Sequence, residues 1–190
     1  MSVRKINLVD KDDSQYILIF QTTSSSYTSL QSLPFTSLEV KMIGKTFHPK
    51  RTAVTMGEFY SYNGAKQKSI PITDEVRTVM NEVNTILQSH IPYFKPLNTC
   101  VANYYPDGDA YIGKHSDDEQ DTVVVAGVSF GETRNFQIYK KEGGPIYRTF
   151  ELKDHECLAM CGPDFQKKWK HGINKQKNKK GRISLTFRAY

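Results

Sequence analysis

Apolar and polar positions along the chain fall into two periods. Residues 74–89 place Val76, Val79, Met80, Val83, Ile86 and Leu87 three and four apart, the stripe of a helix with one buried face. Thr73, after Pro71, is a good N-cap, and Asp74 and Glu75 in the first turn suit the positive helix end. Other runs are short and β-like. Residues 37–43 (SLEVKMI) alternate, with Leu38, Val40 and Met42 on one side, and predict a strand; residues 51–63 are β-prone and end at the turn signal Asn63-Gly64. Residues 16–20 (YILIF) are too short and apolar for periodicity to separate strand from buried helix, and residues 21–32, rich in Ser and Thr, predict a loop or irregular helix. After Asn98 the pattern is strand and turn. Residues 99–105, 122–130, 134–140, 147–152, 157–161 and 182–190 predict strands, punctuated by Pro106-Asp107-Gly108 and Gly143-Gly144-Pro145. Many short strands behind one or two helices predict a β-sandwich or jelly roll with helical support and argue against a parallel α/β fold.

At 190 residues the chain is expected to form a single domain, and 38% hydrophobic with 24% charged residues is a globular composition. No apolar run approaches the roughly 18–20 residues that span a bilayer, and residues 1–13 lack the apolar centre of a secretory signal. The expectation is therefore an intracellular protein, cytoplasmic or nuclear, neither secreted nor bound to a membrane, and monomeric. Cys100, Cys157 and Cys161 cannot pair off and fit buried thiols in a reducing compartment.

Charge changes the picture. The net charge is +6, but from Pro163 onward nine basic residues face one acid, Asp164, a local +8, while residues 1–162 hold 17 basic and 19 acidic residues, or −2. Such a basic stretch suggests a polyanion partner; its plain alternative is a solvated lysine-rich loop.

Two patterns carry candidate chemistry. In an extended segment, His115 and Asp117 face the same way and can offer an imidazole and a carboxylate to one metal, as in the two-histidine, one-carboxylate face of non-haem Fe(II) oxygenases. With five histidines and eleven aspartates, about 0.3 His-x-Asp occurrences arise by chance, so a structural His–Asp hydrogen bond is the simpler reading of this pair alone. In the last strand Ile183, Leu185 and Phe187 face one way and Arg182, Ser184, Thr186 and Arg188 the other. That second face either looks at water or lines an anion site, where arginine's planar fork binds a carboxylate through two parallel bonds.

Five blocks in order resemble the AlkB-like family: Asn103-Tyr104-Tyr105-Pro106-Asp107-Gly108, then Tyr111 through Glu119 (YIGKHSDDE), Val128-Ser129-Phe130-Gly131, Trp169-Lys170-His171, and Arg182 through Arg188 (RISLTFR). Upstream, Ile43-Gly44-Lys45, Lys50-Arg51 and Tyr60-Ser61-Tyr62-Asn63-Gly64 resemble the nucleotide-recognition region of its DNA-repair branch. The resemblance runs from about residue 38 to 190. Members of that family are Fe(II)- and 2-oxoglutarate-dependent dioxygenases that remove alkyl groups from nucleic-acid bases. It implies an α+β fold: a double-stranded β-helix (jelly roll) at about 99–190, N-terminal supporting helices, and a nucleotide-recognition region at about 38–70, within one domain.

The resemblance also implies roles. His115, Asp117 and a downstream histidine would hold Fe(II). The family places that histidine about a dozen residues before its first arginine, which favours His171, 11 residues before Arg182, over His155, 27 before it. Arg182 with Tyr105 would bind the distal carboxylate of 2-oxoglutarate and Asn103 with Arg188 its metal-chelating end, with Ser184 and Thr186 on the same face; molecular oxygen is the second co-substrate. A base must be flipped out to reach such a site. Tyr62 would stack on one side of it and His115 on the other, with Tyr60 alongside, Arg51 on the substrate side, and Asp118, the candidate catalytic carboxylate, and Glu119 near its polar edge. Carboxylates there suit cationic lesions such as N1-methyladenine and N3-methylcytosine. Ile43 would be the apolar finger that probes a duplex. The family more often carries Phe at the place of Tyr62 and Asn at that of Ser184. Two other readings keep part of this picture: a 2-oxoglutarate/Fe(II) hydroxylase of a protein or small molecule, and a catalytically silent nucleic-acid-binding module.

Overall fold

The computed structural model describes the chain apart from Met1, Lys11, Asp13, Ile43, Asn63, Gly64, Gln67, Lys68 and residues 58–60 and 118–122; for Lys41, Met42, Ser61, Tyr62, Ala65 and Lys66 it describes the backbone alone. In chain order its elements are β1 (Arg4–Asn7), β2 (Tyr16–Gln21), α1 (Tyr27–Leu30), β3 (Thr36–Ser37), β4 (Val40–Met42), β5 (Lys45–Phe47), β6 (Thr52–Gly57), β7 (Ser61–Tyr62), β8 (Ala65–Lys66), α2 (Asp74–Gln88), β9 (Thr99–Tyr105), β10 (Ile112–His115), β11 (Val124–Gly131), β12 (Arg134–Lys140), β13 (Arg148–Leu152), β14 (Glu156–Cys161), α3 (Phe165–Lys168), β15 (Trp169–Ile173) and β16 (Arg182–Arg188). An eight-stranded sheet in the order β1-β2-β14-β11-β16-β9-β6-β3 faces a four-stranded sheet in the order β10-β15-β12-β13, and the ladders of both are antiparallel. This is a jelly roll. No helix among the described residues is long and apolar enough to cross a membrane.

Alternation along the large sheet builds two cores. Ile183, Leu185 and Phe187 of β16, Cys100 and Ala102 of β9 and Val128 and Phe130 of β11 turn outward from the sandwich and meet the apolar stripe of α2: Val76, Val79, Met80, Val83 and Leu87. Between the sheets, Ile17, Ile19, Val125, Leu158 and Met160 pack against Ile138, Phe150, Leu152 and Trp169. The helix begins where the pattern predicts it, with the Thr73 hydroxyl accepting from the Val76 amide. The Ser/Thr-rich segment forms the single turn α1, held by a capping box between Ser26 and Ser29.

The strand expected over residues 37–43 is divided. Thr36 and Ser37 pair with β6 at the edge of the large sheet, whereas β4 pairs with β5 in a separate hairpin. Gly44, at φ +69, lies in the two-residue connection of that hairpin and adopts the left-handed backbone its turn requires. β7 and β8 form a second small hairpin. All three cysteines are buried free thiols.

Candidate functional site

The register of three strands lays out the site. β10 and β15 pair His115 with His171, so the two imidazoles are cross-strand neighbours pointing into the sandwich. Asp117 follows two residues later. Nitrogen or oxygen atoms of His115, Asp117 and His171 lie within 4.8 Å of one another. Asp117 Oδ1 is 3.8 Å from His115 Nε2, and Oδ2 is 3.6 Å from His171 Nε2. The His115 Nδ1 meets the Gly113 carbonyl at 2.8 Å, which aims Nε2 into the cluster. His171 is oriented differently, by the Phe136 ring stacked on it at 5.3 Å and 19°. Among the described residues neither His171 Nδ1 nor Asp117 Oδ2, both buried, has a hydrogen-bond partner.

Electrostatics fit a divalent cation. Burial pushes the His171 pKa down to about 3, with His115 adding to the effect and Asp117 opposing it, so the imidazole is neutral and its lone pair available. Burial would raise Asp117, but the Arg188 guanidinium and the two histidines outweigh it and hold the carboxylate well below its usual range. A neutral His171 imidazole, the Asp117 anion and the His115 imidazole, mutually close, are a hard–borderline donor set for Fe(II)-type metals.

A cavity of about 440 Å³ opens from this cluster between the sheets. One wall comes from β9 and β16, whose register sets Arg182 beside Tyr105 and Ser184 beside Asn103. Arg182, Ser184, Thr186 and Arg188 therefore face the cavity rather than water, as do Asn103 and Tyr105. Arg182 is 1% exposed. Its Nη2 donates to Ser129 Oγ at 2.8 Å and reaches Ser184 Oγ at 3.4 Å, while Nε and Nη1 find no acceptor among the described residues. Burial lowers its pKa to about 10; Tyr105 opposes this and Arg134 adds to it, so the side chain stays cationic at neutral pH. A buried guanidinium with unpartnered N–H groups on a cavity suits a carboxylate ligand. The apolar remainder of the wall includes Phe136, Leu152, Leu158 and Met160.

Other expected residues are placed as follows. Arg188, expected at the chelating end of 2-oxoglutarate, lines the cavity, and its Nη2 donates to Asp117 Oδ1 at 2.8 Å. Arg51 also lines the cavity, and its Nη1 donates to Asn103 Oδ1. His155 lies outside the cluster, in the turn before β14 and edge-on to Phe130 at 5.1 Å. Ile43, Tyr60, Asp118 and Glu119 lie outside the described residues, as does the side chain of Tyr62.

Sequence reasoning missed Arg134. It is fully buried, and its three nitrogens donate to Gln176 Oε1 and to the carbonyls of Asp107, Ala110 and Asn174. The Tyr105 ring lies 5.8 Å from its guanidinium carbon and 5.2 Å from that of Arg182. The signal was present: in β12, Arg134 shares a face with Phe136 and Ile138, and a cation on an inward apolar face has to be satisfied internally.

A family model described as 2OG-Fe(II) oxygenase superfamily matches residues 12–188. The chain is 29% identical over 166 residues to the DNA oxidative demethylase ALKBH2 of Mus musculus, covering 79% of this chain and 66% of that protein. It is 33% identical over 103 residues to the alpha-ketoglutarate-dependent dioxygenase alkB homolog 3 of Mus musculus, covering 48% of this chain and 36% of the relative. It thus spans between about one third and two thirds of the length of these curated relatives. The solved structure of OsALKBH1 has a TM-score of 0.50 at 20% identity, covering 74% of this chain and 78% of that one, a likeness of fold.

Proposed function

We propose that this chain, which belongs to the 2OG-Fe(II) oxygenase superfamily, is a 2-oxoglutarate-dependent dioxygenase that removes methyl groups from nucleic-acid bases, with N1-methyladenine and N3-methylcytosine as substrates. The observation that carries the reading is the meeting of the His115–Asp117–His171 donor set and the unpartnered guanidinium nitrogens of Arg182 in one cavity. Fe(II), with 2-oxoglutarate and O₂, would supply hydroxylation of an alkyl carbon; a hydroxymethyl group on a ring nitrogen then leaves as formaldehyde. The chain's own residues do the rest. His115, Asp117 and His171 would hold the iron. Arg182, oriented by Ser129 and Ser184, would anchor the distal carboxylate of the keto acid beside Tyr105. Asn103, its carbonyl oxygen engaged by Arg51 and its amide nitrogen donating to the Val101 carbonyl at 3.5 Å, would turn its second N–H toward the chelating end. Arg188 would keep Asp117 ionised.

Nucleic acid as substrate is supported by the naming of the relatives as DNA demethylases and dioxygenases of the alkB type and by the +8 carried from Pro163 onward. In this reading the two small hairpins β4–β5 and β7–β8 belong to a nucleotide-recognition region of a single domain, with Tyr62 and His115 flanking the flipped base and Asp118 and Glu119 opposing its positive charge. The test is formaldehyde and succinate release from DNA and RNA oligonucleotides carrying either lesion, with His171→Ala and His155→Ala compared. Turnover with both lesions, lost in His171→Ala and kept in His155→Ala, is expected. Succinate without formaldehyde from any oligonucleotide would transfer the enzyme to another substrate class. No keto-acid turnover at all would leave a silent binding module.

A further inference from the structure

The metal cluster stands at the end of a ladder. β10 and β15 pair as far as His115 and His171. β10 ends at His115, so Asp117, two residues beyond it and level in register with Trp169 at the start of β15, lies past the last ladder pair. Two side-chain bonds replace the missing ladder. Ser116 Oγ donates to the Trp169 carbonyl at 2.9 Å, and the Asp117 amide donates to Gln166 Oε1 at 3.0 Å. Gln166 is 8% exposed, while its helix neighbours Lys167 and Lys168 face solvent. Its Nε2 points at Met160 Sδ, 3.9 Å away, and its backbone carbonyl accepts from Lys141 Nζ at 3.1 Å. Turning the amide over would set an N–H₂ against the Asp117 N–H, so the network fixes the acceptor end toward Asp117.

We propose that Gln166 is a positioning residue for the metal-binding carboxylate: its side-chain oxygen pins the backbone of Asp117 and so aims that carboxylate at the two histidines. The inference rests on the metal centre proposed above and assigns a role there to a residue on a different element. Arg188 already fixes one carboxylate oxygen; the Gln166 bond fixes the backbone from which the carboxylate swings. Without it a buried amide loses its only described acceptor, and the residue must be ordered afresh each time a metal binds. Outer partners of this kind are worth about 10–100-fold in metal affinity.

The test titrates metal-free full-length chain with Co(II) under anaerobic conditions, reading affinity and the visible ligand-field bands, with the metal-free thermal midpoint measured alongside. Gln166→Leu, which removes the acceptor and keeps the volume, should bind Co(II) about 10–100-fold more weakly, with altered bands. Gln166→Glu, which keeps an oxygen at the same reach, should restore affinity to within a few-fold. If leucine does not fold, Gln166→Met takes its place. A folded apolar variant with unchanged affinity and bands overturns the proposal, as does a folded glutamate variant as weak as leucine. If the unsubstituted chain binds no Co(II), the metal centre itself fails, and this inference with it.

Discussion

Arg182 shows how a single side chain acquires a role from its neighbours. Two hydroxyls, on Ser129 and Ser184, hold one nitrogen of its guanidinium, and Tyr105 lies against it, so the group is held in place at the cavity with two nitrogens unpartnered. A lysine there would keep the charge but could not make two parallel bonds to a carboxylate. Arg182→Lys should raise the concentration of 2-oxoglutarate needed for half-maximal turnover about tenfold or more, on the scale of a charged hydrogen bond of roughly 1.5–3 kcal/mol. Oligonucleotide affinity without the keto acid should stay where it is. Normal keto-acid dependence with weakened oligonucleotide binding would move Arg182 from the cavity to the nucleic-acid surface. From the sequence, the two-faced pattern of the last strand already left only two options for this residue, water or an anion site. Choosing between them required the sheet opposite, which no local pattern supplies.

At the scale of elements, α2 was legible because its whole apolar stripe is local. The strand expected at residues 37–43 was not legible as two pieces: alternation shows which side chains share a face but not which of two sheets pairs with each half. Gln166 and Arg134 were hidden for a related reason, since their partners include main-chain groups brought in by the fold from 24 to 49 residues away. His171, by contrast, was legible through the resemblance, whose spacing to the first arginine favours it over His155, and the pairing of β10 with β15 sets it beside His115. The docking of α2 rests on a contact of the same non-local kind. Glu82 accepts from the Thr23 amide and hydroxyl at 2.8 and 3.0 Å and from the Ser24 amide at 2.9 Å, tying the helix to the segment after β2. Burial alone would raise its pKa, but these bonds to the ionised form win and lower it. A carboxylate depressed in the folded state adds stability above its unfolded pKa, about 4.3, and loses that contribution as pH falls through the folded value. Glu82→Gln should therefore cost roughly 0.5–1.5 kcal/mol at pH 7 for this half-buried group. The gap in thermal midpoint from the unsubstituted chain should narrow as pH drops below about 4. A gap independent of pH would mean that the charge contributes nothing.

Over the whole molecule, charge is divided by structure as well as by sequence. Lysines 175, 177, 179 and 180 all belong to the connection from β15 to β16, and the sequence treats them alike. The fold does not. This connection is stitched to the loop after β9 by Gly108–Lys179 and Gln176–Gly108 backbone bonds, at 3.1 and 2.9 Å. A Cβ on Gly108 would lie 1.8 Å from the Gln176 carbonyl oxygen, which is why glycine stands there. Lys179 is half-buried and paired with Glu132 at 3.2 Å, so its charge is largely answered within the molecule. Lys175, Lys177 and Lys180 are exposed, and Lys175 lies over the exposed ring of Tyr111 at 5.4 Å, a cation and an aromatic surface side by side. None of the three lines the cavity. If the proposed nucleic-acid partner is held by its phosphates here, replacing these three lysines with glutamine should weaken oligonucleotide binding without regard to sequence. The slope of log affinity against log salt should then fall by roughly 0.7–0.9 for each phosphate that the chain no longer neutralises. Lys179→Gln alone should leave the slope nearly unchanged, because neutralising a lysine already paired with Glu132 releases few counterions. A slope unchanged by the triple replacement would make the connection a solvated edge; a slope that falls with Lys179→Gln alone would mean that the Glu132 pair opens on binding and that all four lysines act together.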